Sequence, residues 1–398
     1  MGEESISRFV ADNHTQMTNT LSDLVAIPTM NPPGQAYKQC VYYLSGRLNT
    51  WNIEHDVISI SKGKYPRFAI LGEIGKGQES LHLHGHYDVV PSNSTGQFNP
   101  DVKGERLYGR GASDMKSGLV TILYSLLYLK KRYTGIKGRI SFSFVPDEES
   151  GGRLGIKYIL QSGLLPQPSL GMLMPEPTSG VVWNANKGAL TYRITVQGKA
   201  AHVALEPQGD NAFESMIRVV QSLLDLKQSI QKRKTSLPVS SPEASQSVLL
   251  AGGMSGSGVN FNVVPDRAFF TIDRRINPEE KLSEAKQELM NVFEDARQKG
   301  IKLDVETLQE GESSSANPNS PLALALKDSI IEVTGEIPAF ELCPGLCEIR
   351  FFIGQGIPAY AYGPGLLEVS HGPEEYVRIS DMWKCTEIYI RTILRLLS

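Results

Sequence analysis

Cysteine is scarce in this chain: Cys40, Cys343, Cys347 and Cys385 are the four among 398 residues. So few thiols exclude a disulfide framework for a protein of this length. Cys343 and Cys347 lie close together, but their spacing is not CxxC, and all four are read as ordinary core or loop thiols. An excess of one charge sign is also missing. The formal net charge is −3 with 21% charged residues, which gives no electrostatic reason to expect nucleic acid or an anionic membrane as partner. No stretch approaches the roughly 20 uninterrupted apolar residues of a membrane helix, and the polar first 20 residues speak against a secretory signal. A reducing, cytoplasmic setting is therefore expected. The chain has no G-x-S-x-G elbow, which removes the usual serine-hydrolase route. GEIGKGQ (72–78) has neither Walker spacing nor a strand-to-helix context, so phosphate binding is not expected there.

What is present is an ordinary globular composition, 40% apolar, on a chain long enough for two cores. Alternation in Arg139–Val145 and short apolar runs at Leu81–Leu83 and Leu170–Met174 predict strands. Helix-period stretches fall between and after them, at Lys116–Lys131 and Leu154–Leu160. Such alternation predicts an α/β layer with a mixed, largely parallel sheet, whose functional groups gather beyond the carboxyl ends of the strands. From about Lys187 the pattern changes. GALTYRITVQG, Asn211–Gln231, SVLLAGG, RAFFTIDRRI, Glu279–Lys299 and KLDVETL read as β-α-β-β-α-β, a ferredoxin-like α+β unit. Its edges are the segments 184–187 and 309–318, and the tail then resumes helix, strand and helix. The expected organisation is a catalytic domain in two parts, 1–186 and 309–398, with the smaller domain 187–308 inserted between them.

Acids and histidines recur where apolar stretches end. His86 and Asp88 close LHLHGHYDVVP, Asp114 precedes an apolar helix in GRGASDMKSG, and Glu148 and Glu149 follow RISFSFVP. Glu176 follows LGMLM, and His371 comes after the turn-rich GPGLLEVSHG. Carboxylates and imidazoles are costly to gather in one dry place unless a cation holds them. Five ligating positions on separate elements predict a binuclear site, and a His and carboxylate donor set without thiolate suits zinc, cobalt or manganese. A carboxylate can bridge two ions where an imidazole cannot, so Asp114 is the expected bridge, fixed by capping of the following helix. Asp88, two residues after His86, is placed to accept the imidazole's other N–H. Adjacent Glu148 and Glu149 point opposite ways if extended, so that one binds metal while the other takes a proton from the bound water; spacing alone does not say which. His82, His84 and His86 share one face of a strand and could instead form a three-histidine zinc site. That alternative leaves Asp114, Glu149 and Glu176 without a purpose, and His82 and His84 are read as packing or hydrogen-bonding groups.

GHYDVVP, GRGASDMKSG, DEESGG and PEPT, in this order, resemble the M20 metallopeptidases and deacylases, including acetylornithine deacetylase and succinyl-diaminopimelate desuccinylase. The resemblance runs from LVAIPTMNPPG (24–34) to the C-terminal HGPEEYV. It implies two zinc ions per subunit, Co²⁺ or Mn²⁺ being possible. His86 and Glu176 would bind one, Glu149 and His371 the other, with Asp114 bridging, Glu148 as general base and Asp88 orienting His86. It also implies that the inserted domain is a lid that dimerises and carries an oxyanion-stabilising histidine, here His202 in GKAAHVALEP. Asn262 in NVVP, Arg275 in IDRRI and Arg350 match substrate-holding positions. Glu348 is a departure, since many members have Asp there, and acetylornithine deacetylases are similar to this chain at that point.

The function expected from these residues is a zinc-dependent amidohydrolase that removes an acetyl or succinyl group from an amino acid by attack of metal-activated hydroxide. A metal-dependent dipeptidase or carboxypeptidase-type exopeptidase is the alternative, because the same residues serve both. A small N-acyl amino acid or short peptide and a second copy of the chain are the expected partners, with neither nucleic acid nor membrane. A third reading, a metal-binding protein that has lost catalysis, is disfavoured because Glu148 and all five proposed ligands are retained.

Overall fold

In the computed structural model, which describes residues 4–61, 64–92, 94–132 and 135–398, the chain divides into two compact units. One comprises 1–184, 316–341 and 348–398, the other 185–315 with 342–347. The larger unit begins with helices α1 (Glu4–Val25) and α2 (Tyr37–Thr50). Strands β1 (His55–Ser61), β2 (Arg67–Gly75) and β3 (Ser80–His86) follow, then helix α3 (Ser117–Arg132) and strands β4 (Arg139–Val145), β5 (Gly171–Met174) and β6 (Val182–Asn186). The smaller unit contributes β7 (Gly188–Gln197), α4 (Ala212–Ile230), β8 (Val248–Ser257), β9 (Arg267–Ile276), α5 (Leu282–Gln298) and β10 (Lys302–Gly311). The chain then forms α6 (Pro321–Thr334), the short strand β11 (Ala359–Ala361) and α7 (Ile379–Leu397).

In the larger unit the sheet runs β1-β2-β4-β3-β5-β11-β6. β4, β3, β5 and β11 are mutually parallel, while β1, β2 and β6 pair antiparallel at the flanks. Every residue of β3 is buried, as expected for a central parallel strand covered on both faces. From β3 the chain crosses to β4 on one side and then to β5 on the other. That reversal opens a crevice beyond the carboxyl end of β3, the usual place for a site in such a sheet, and His86 is the last residue of β3. Helices α1, α3, α6 and α7 pack around one continuous core that includes Leu81, Leu83, Leu119, Ile122, Phe142 and Ile388.

The smaller unit is an all-antiparallel sheet in the order β8-β9-β7-β10, with its own core of Leu190, Ile194, Val219, Leu223, Phe270, Leu289 and Phe293. Order and connections are those of a ferredoxin-like fold. The expected boundary at 308 falls short: β10 runs to Gly311, the unit to Ser315, and residues 342–347 belong with it. The glycine, serine and asparagine of 309–318 that read as a linker include a paired strand end, because Glu310 and Gly311 continue the register against Leu190 and Ala189. No helix among the described residues is long and apolar enough to cross a membrane.

Candidate metal centre

The parallel strands deliver their acids and imidazoles to one end of the sheet. His86 ends β3, Glu148 and Glu149 follow β4, Glu176 follows β5, and His371 lies beyond β11. Glu176 is held by close backbone packing. A Cβ at Gly118 would sit 2.2 Å from the Pro175 carbonyl oxygen, and one at Gly363 would sit 2.5 Å from the Glu176 oxygen, so neither position accepts a side chain without movement. Asp114 lies in the tight turn Ala112–Lys116 with non-helical backbone angles and caps no helix. The expected capping role is therefore incorrect: its main chain is fixed instead by the Glu375 carboxylate, which accepts its N–H at 3.1 Å. Glu148 and Glu149 form a 3₁₀ turn after Asp147. They are not extended, so they diverge by about a third of a turn and not by half.

Two donor groups share one residue. His86, Asp114 and Glu176 form one, and Asp114, Glu149 and His371 the other, each with one donor atom per residue and all of these atoms within 4.8 Å of one another. His86 Nε2 lies 3.4 Å from Asp114 Oδ1 and 3.6 Å from Glu176 Oε1. His371 Nε2 lies 3.3 Å from Asp114 Oδ2 and 3.3 Å from Glu149 Oε2. The two oxygens of Asp114 thus face different imidazoles. Two donors about 2.0–2.2 Å from a tetrahedral ion stand roughly 3.3–3.6 Å apart, the spacing seen. His86 Nε2 and Glu149 Oε1 are buried and make no hydrogen bond, so both retain lone-pair or donor capacity that a cation would satisfy. The donor set fits a pair of divalent ions.

Without a cation these groups strain against one another electrostatically. Burial, reinforced by the charges of Glu348, Asp114 and Asp88, pushes the Glu148 carboxyl up to about 8. Burial and the charges of Asp114 and Glu148 push Glu149 up to about 7, although His371 opposes this. Burial and the neighbouring acids hold Glu176 well above the usual carboxylate range. Asp114 resists burial and stays low because His371 and His86 stand beside it. The same contacts with Asp114 and Glu149 raise His371 to about 11. Desolvation would lower His86, but Asp114 and Asp88 outweigh it and hold it well above its ordinary value.

Asp88 does more than orient an imidazole. His86 Nδ1 lies 3.0 Å from the Asp88 carbonyl oxygen and 3.4 Å from its carboxylate, so the backbone is the nearer partner. The Asp88 carboxylate accepts the N–H groups of Glu148 and Glu149, both at 3.2 Å, and the Asn31 amide at 2.9 Å. Asn31 sits in MNPP, where no sequence signal distinguishes it. His82 lies against Ser141 at 2.9 Å and Ser143 at 2.8 Å; His84 lies against Ser143 at 2.7 Å and the buried Glu348 at 2.6 Å. Their ring nitrogens are occupied, so no three-histidine site forms. Glu348, which sequence reading noted only as a departure, joins this chain with its second oxygen buried and making no hydrogen bond. Arg350 is buried, donates to the Gly151 carbonyl at 2.9 Å and lies over the Phe351 ring.

The remaining candidate residues belong to the smaller unit. His202 is exposed, accepts the Ala204 N–H at 3.2 Å and bridges to Val263. The neighbouring Asn262 is half-buried, and its carbonyl accepts from Val203. Arg275 on β9 is paired with Asp273 at 2.6 Å.

Comparison with known proteins agrees with this architecture. A probable succinyl-diaminopimelate desuccinylase of Staphylococcus aureus (strain N315) is 25% identical over 394 residues, covering 93% of this chain and 94% of the relative. Among solved structures, human carnosine dipeptidase 1 superposes with a TM-score of 0.80 at 16% identity, covering 99% of this chain and 98% of the other. The M20 family metallo-carboxypeptidase Sso-CP2 from Sulfolobus solfataricus gives 0.79 at 18% identity, covering 96% and 98%. The family model for peptidase family M20/M25/M40 matches residues 82–395, from the sheet's central strand to the last helix, and the chain belongs to that family.

Proposed function

We propose that this chain is a metal-dependent amidohydrolase that removes an acetyl or succinyl group from the nitrogen of an amino acid. The observation that carries this reading is Asp114, whose two oxygens face two separate His and Glu donor groups. His86 and Glu176 would hold one divalent ion and Glu149 and His371 the other, with Asp114 belonging to both donor groups. Zinc is the expected metal, with Co²⁺ or Mn²⁺ as alternatives. Bound there, the pair supplies Lewis acidity that polarises an amide carbonyl and acidifies water.

The chain's own residues do the rest. Glu148, the half-buried acid that adjoins Glu149 in the same turn and belongs to neither donor group, takes the proton of the attacking water as the new C–O bond forms. It returns that proton to the leaving nitrogen as the C–N bond breaks. With the cations bound, its affinity for the proton would fall and leave it ionised in the resting state. Asp88 fixes the main chain of Glu148 and Glu149 and the ring of His86. Arg350, Asn262 and Arg275 hold the substrate carboxylate, and His202 donates to the developing oxyanion in a homodimer. A relative named as a probable desuccinylase across nearly the whole chain supports an N-acyl substrate over a peptide.

The test is hydrolysis by zinc- and cobalt-loaded protein of N-acetyl and N-succinyl amino acids against dipeptides and C-terminally blocked peptides. The reading expects the acyl amino acids to have the highest kcat/KM. Preference for dipeptides would replace it with the exopeptidase alternative.

A further inference from the structure

Two loops must meet to complete the second ion's donors, the Asp114 turn and the His371 loop, and one buried ion pair is bonded to both. Glu375 is 1% exposed and Arg110 is 1% exposed. Glu375 Oε1 accepts the backbone N–H groups of Gly111, Ser113 and Asp114 at 2.9, 3.1 and 3.1 Å. Its other oxygen receives Arg110 Nη1 at 2.6 Å. The second nitrogen of that guanidinium, Nη2, donates to the His371 carbonyl at 3.0 Å. A carboxylate that takes three main-chain N–H groups shapes a turn as an anion does in a backbone nest.

His371 needs such a restraint. Its backbone has φ 65°, a left-handed conformation that a non-glycine residue holds only where its surroundings over-determine it. Gln97 Nε2 holds the next two carbonyls, of Gly372 and Pro373, both at 3.0 Å. Asp114 likewise sits in a turn without helical geometry. Neither donor is placed by regular secondary structure, whereas His86 is placed by the end of β3. The imidazoles of the two groups therefore stand on different supports, His86 on the sheet and His371 on the Arg110–Glu375 pair, with Asp114 common to both groups.

We infer that Arg110 and Glu375 are positioning residues that set the affinity of the second ion, through the backbone of His371 and of Asp114. This rests on the two-ion reading above. Removing the partners that orient metal ligands typically weakens binding about 10–100-fold. Arg110 bonds directly to His371 alone among the donors and reaches Asp114 only through Glu375, so Arg110→Met lowers the second ion's affinity by that factor and the first ion's by less. Glu375→Gln replaces a charged acceptor on the Asp114 turn with a neutral one and weakens both ions, the second more. Since a buried charge left without its partner can unfold a protein, the Arg110→Met/Glu375→Gln double variant removes both charges together, and circular dichroism confirms that each variant is folded.

The experiment is calorimetric titration of metal-stripped protein with Zn²⁺, with Co²⁺ visible absorption reporting the coordination of each ion. Two ions bound by the wild type, with the second weakened well beyond the first in Arg110→Met, support the inference. Two undisturbed steps, or equal weakening of both, in folded Arg110→Met overturn it and leave the two-ion reading intact. Fewer than two ions bound per wild-type chain overturns both.

Discussion

Each unit of this protein gathers buried charge, and the two gather it in opposite ways. In the smaller unit Arg274, fully buried, meets Glu280, which also takes Arg233 at 3.0 Å, while Arg233 reaches Glu288 at 2.7 Å. Acids and guanidinium groups are matched within the chain. In the larger unit Asp114, Glu148, Glu149 and Glu176 cluster with two imidazoles, and the contacts that tie Asp114, Glu149 and Glu176 to positive charge are to His86 and His371. The first cluster is matched by guanidinium groups that keep their charge, whereas the second is matched by His86 and His371, whose nitrogens are also its metal donors. That contrast separates a structural ion network from a cation site, because imidazoles that give up their protons to a metal leave the acids to be compensated by the metal itself.

The comparison can be broken by substitution. Glu148→Gln should lower kcat by about 10²–10⁴-fold while metal content per chain stays the same; retained turnover in single-turnover assays would remove Glu148 as the base. Glu280→Gln should do the reverse. It leaves the buried Arg274 without its partner and should cost about 3–5 kcal/mol of stability in urea titrations, with metal content untouched. Next in size is the response to metal itself. Free zinc at 100 times its dissociation constant should stabilise the protein by about 2.7 kcal/mol, seen as a rise in Tm that EDTA reverses and that His371→Ala reduces.

The smallest effect concerns protons. In the cation-free protein Glu149 titrates near 7 and His371 near 11, and both must lose their protons to act as ligands. Below pH 7 metal binding should release protons from both groups. As pH rises through 7 the Glu149 carboxyl is already ionised, so the number released should fall. Calorimetry in buffers of different ionisation enthalpy measures it, and a constant count across that window would contradict the assignment of Glu149.

How much of this was legible in the residues depends on what each position rests on. Strands such as Arg139–Val145 carry their pattern locally, and the β-α-β-β-α-β order of the smaller unit follows from alternating patterns. Most of the converging acids and histidines could be read because they stand where an apolar run stops, whereas Asp114 and His371 stood out by the motifs around them. Asp114 could not be placed correctly, because the turn that holds it is shaped by Glu375, 261 residues away. The Glu148–Glu149 turn depends on Asp147 at φ 75° and on two N–H groups captured by Asp88, neither of which leaves a local signal. The His82–Ser143–His84–Glu348 chain was invisible for the same reason: its members meet only across the finished sheet. Asn31 has no signal at all.

The most direct measurement is anomalous diffraction from crystals of zinc-loaded protein. Two peaks are expected, one among His86, Asp114 and Glu176 and one among Asp114, Glu149 and His371, about 3.5–4 Å apart. A single peak, or density against His82 and His84 in place of His86, would contradict the account.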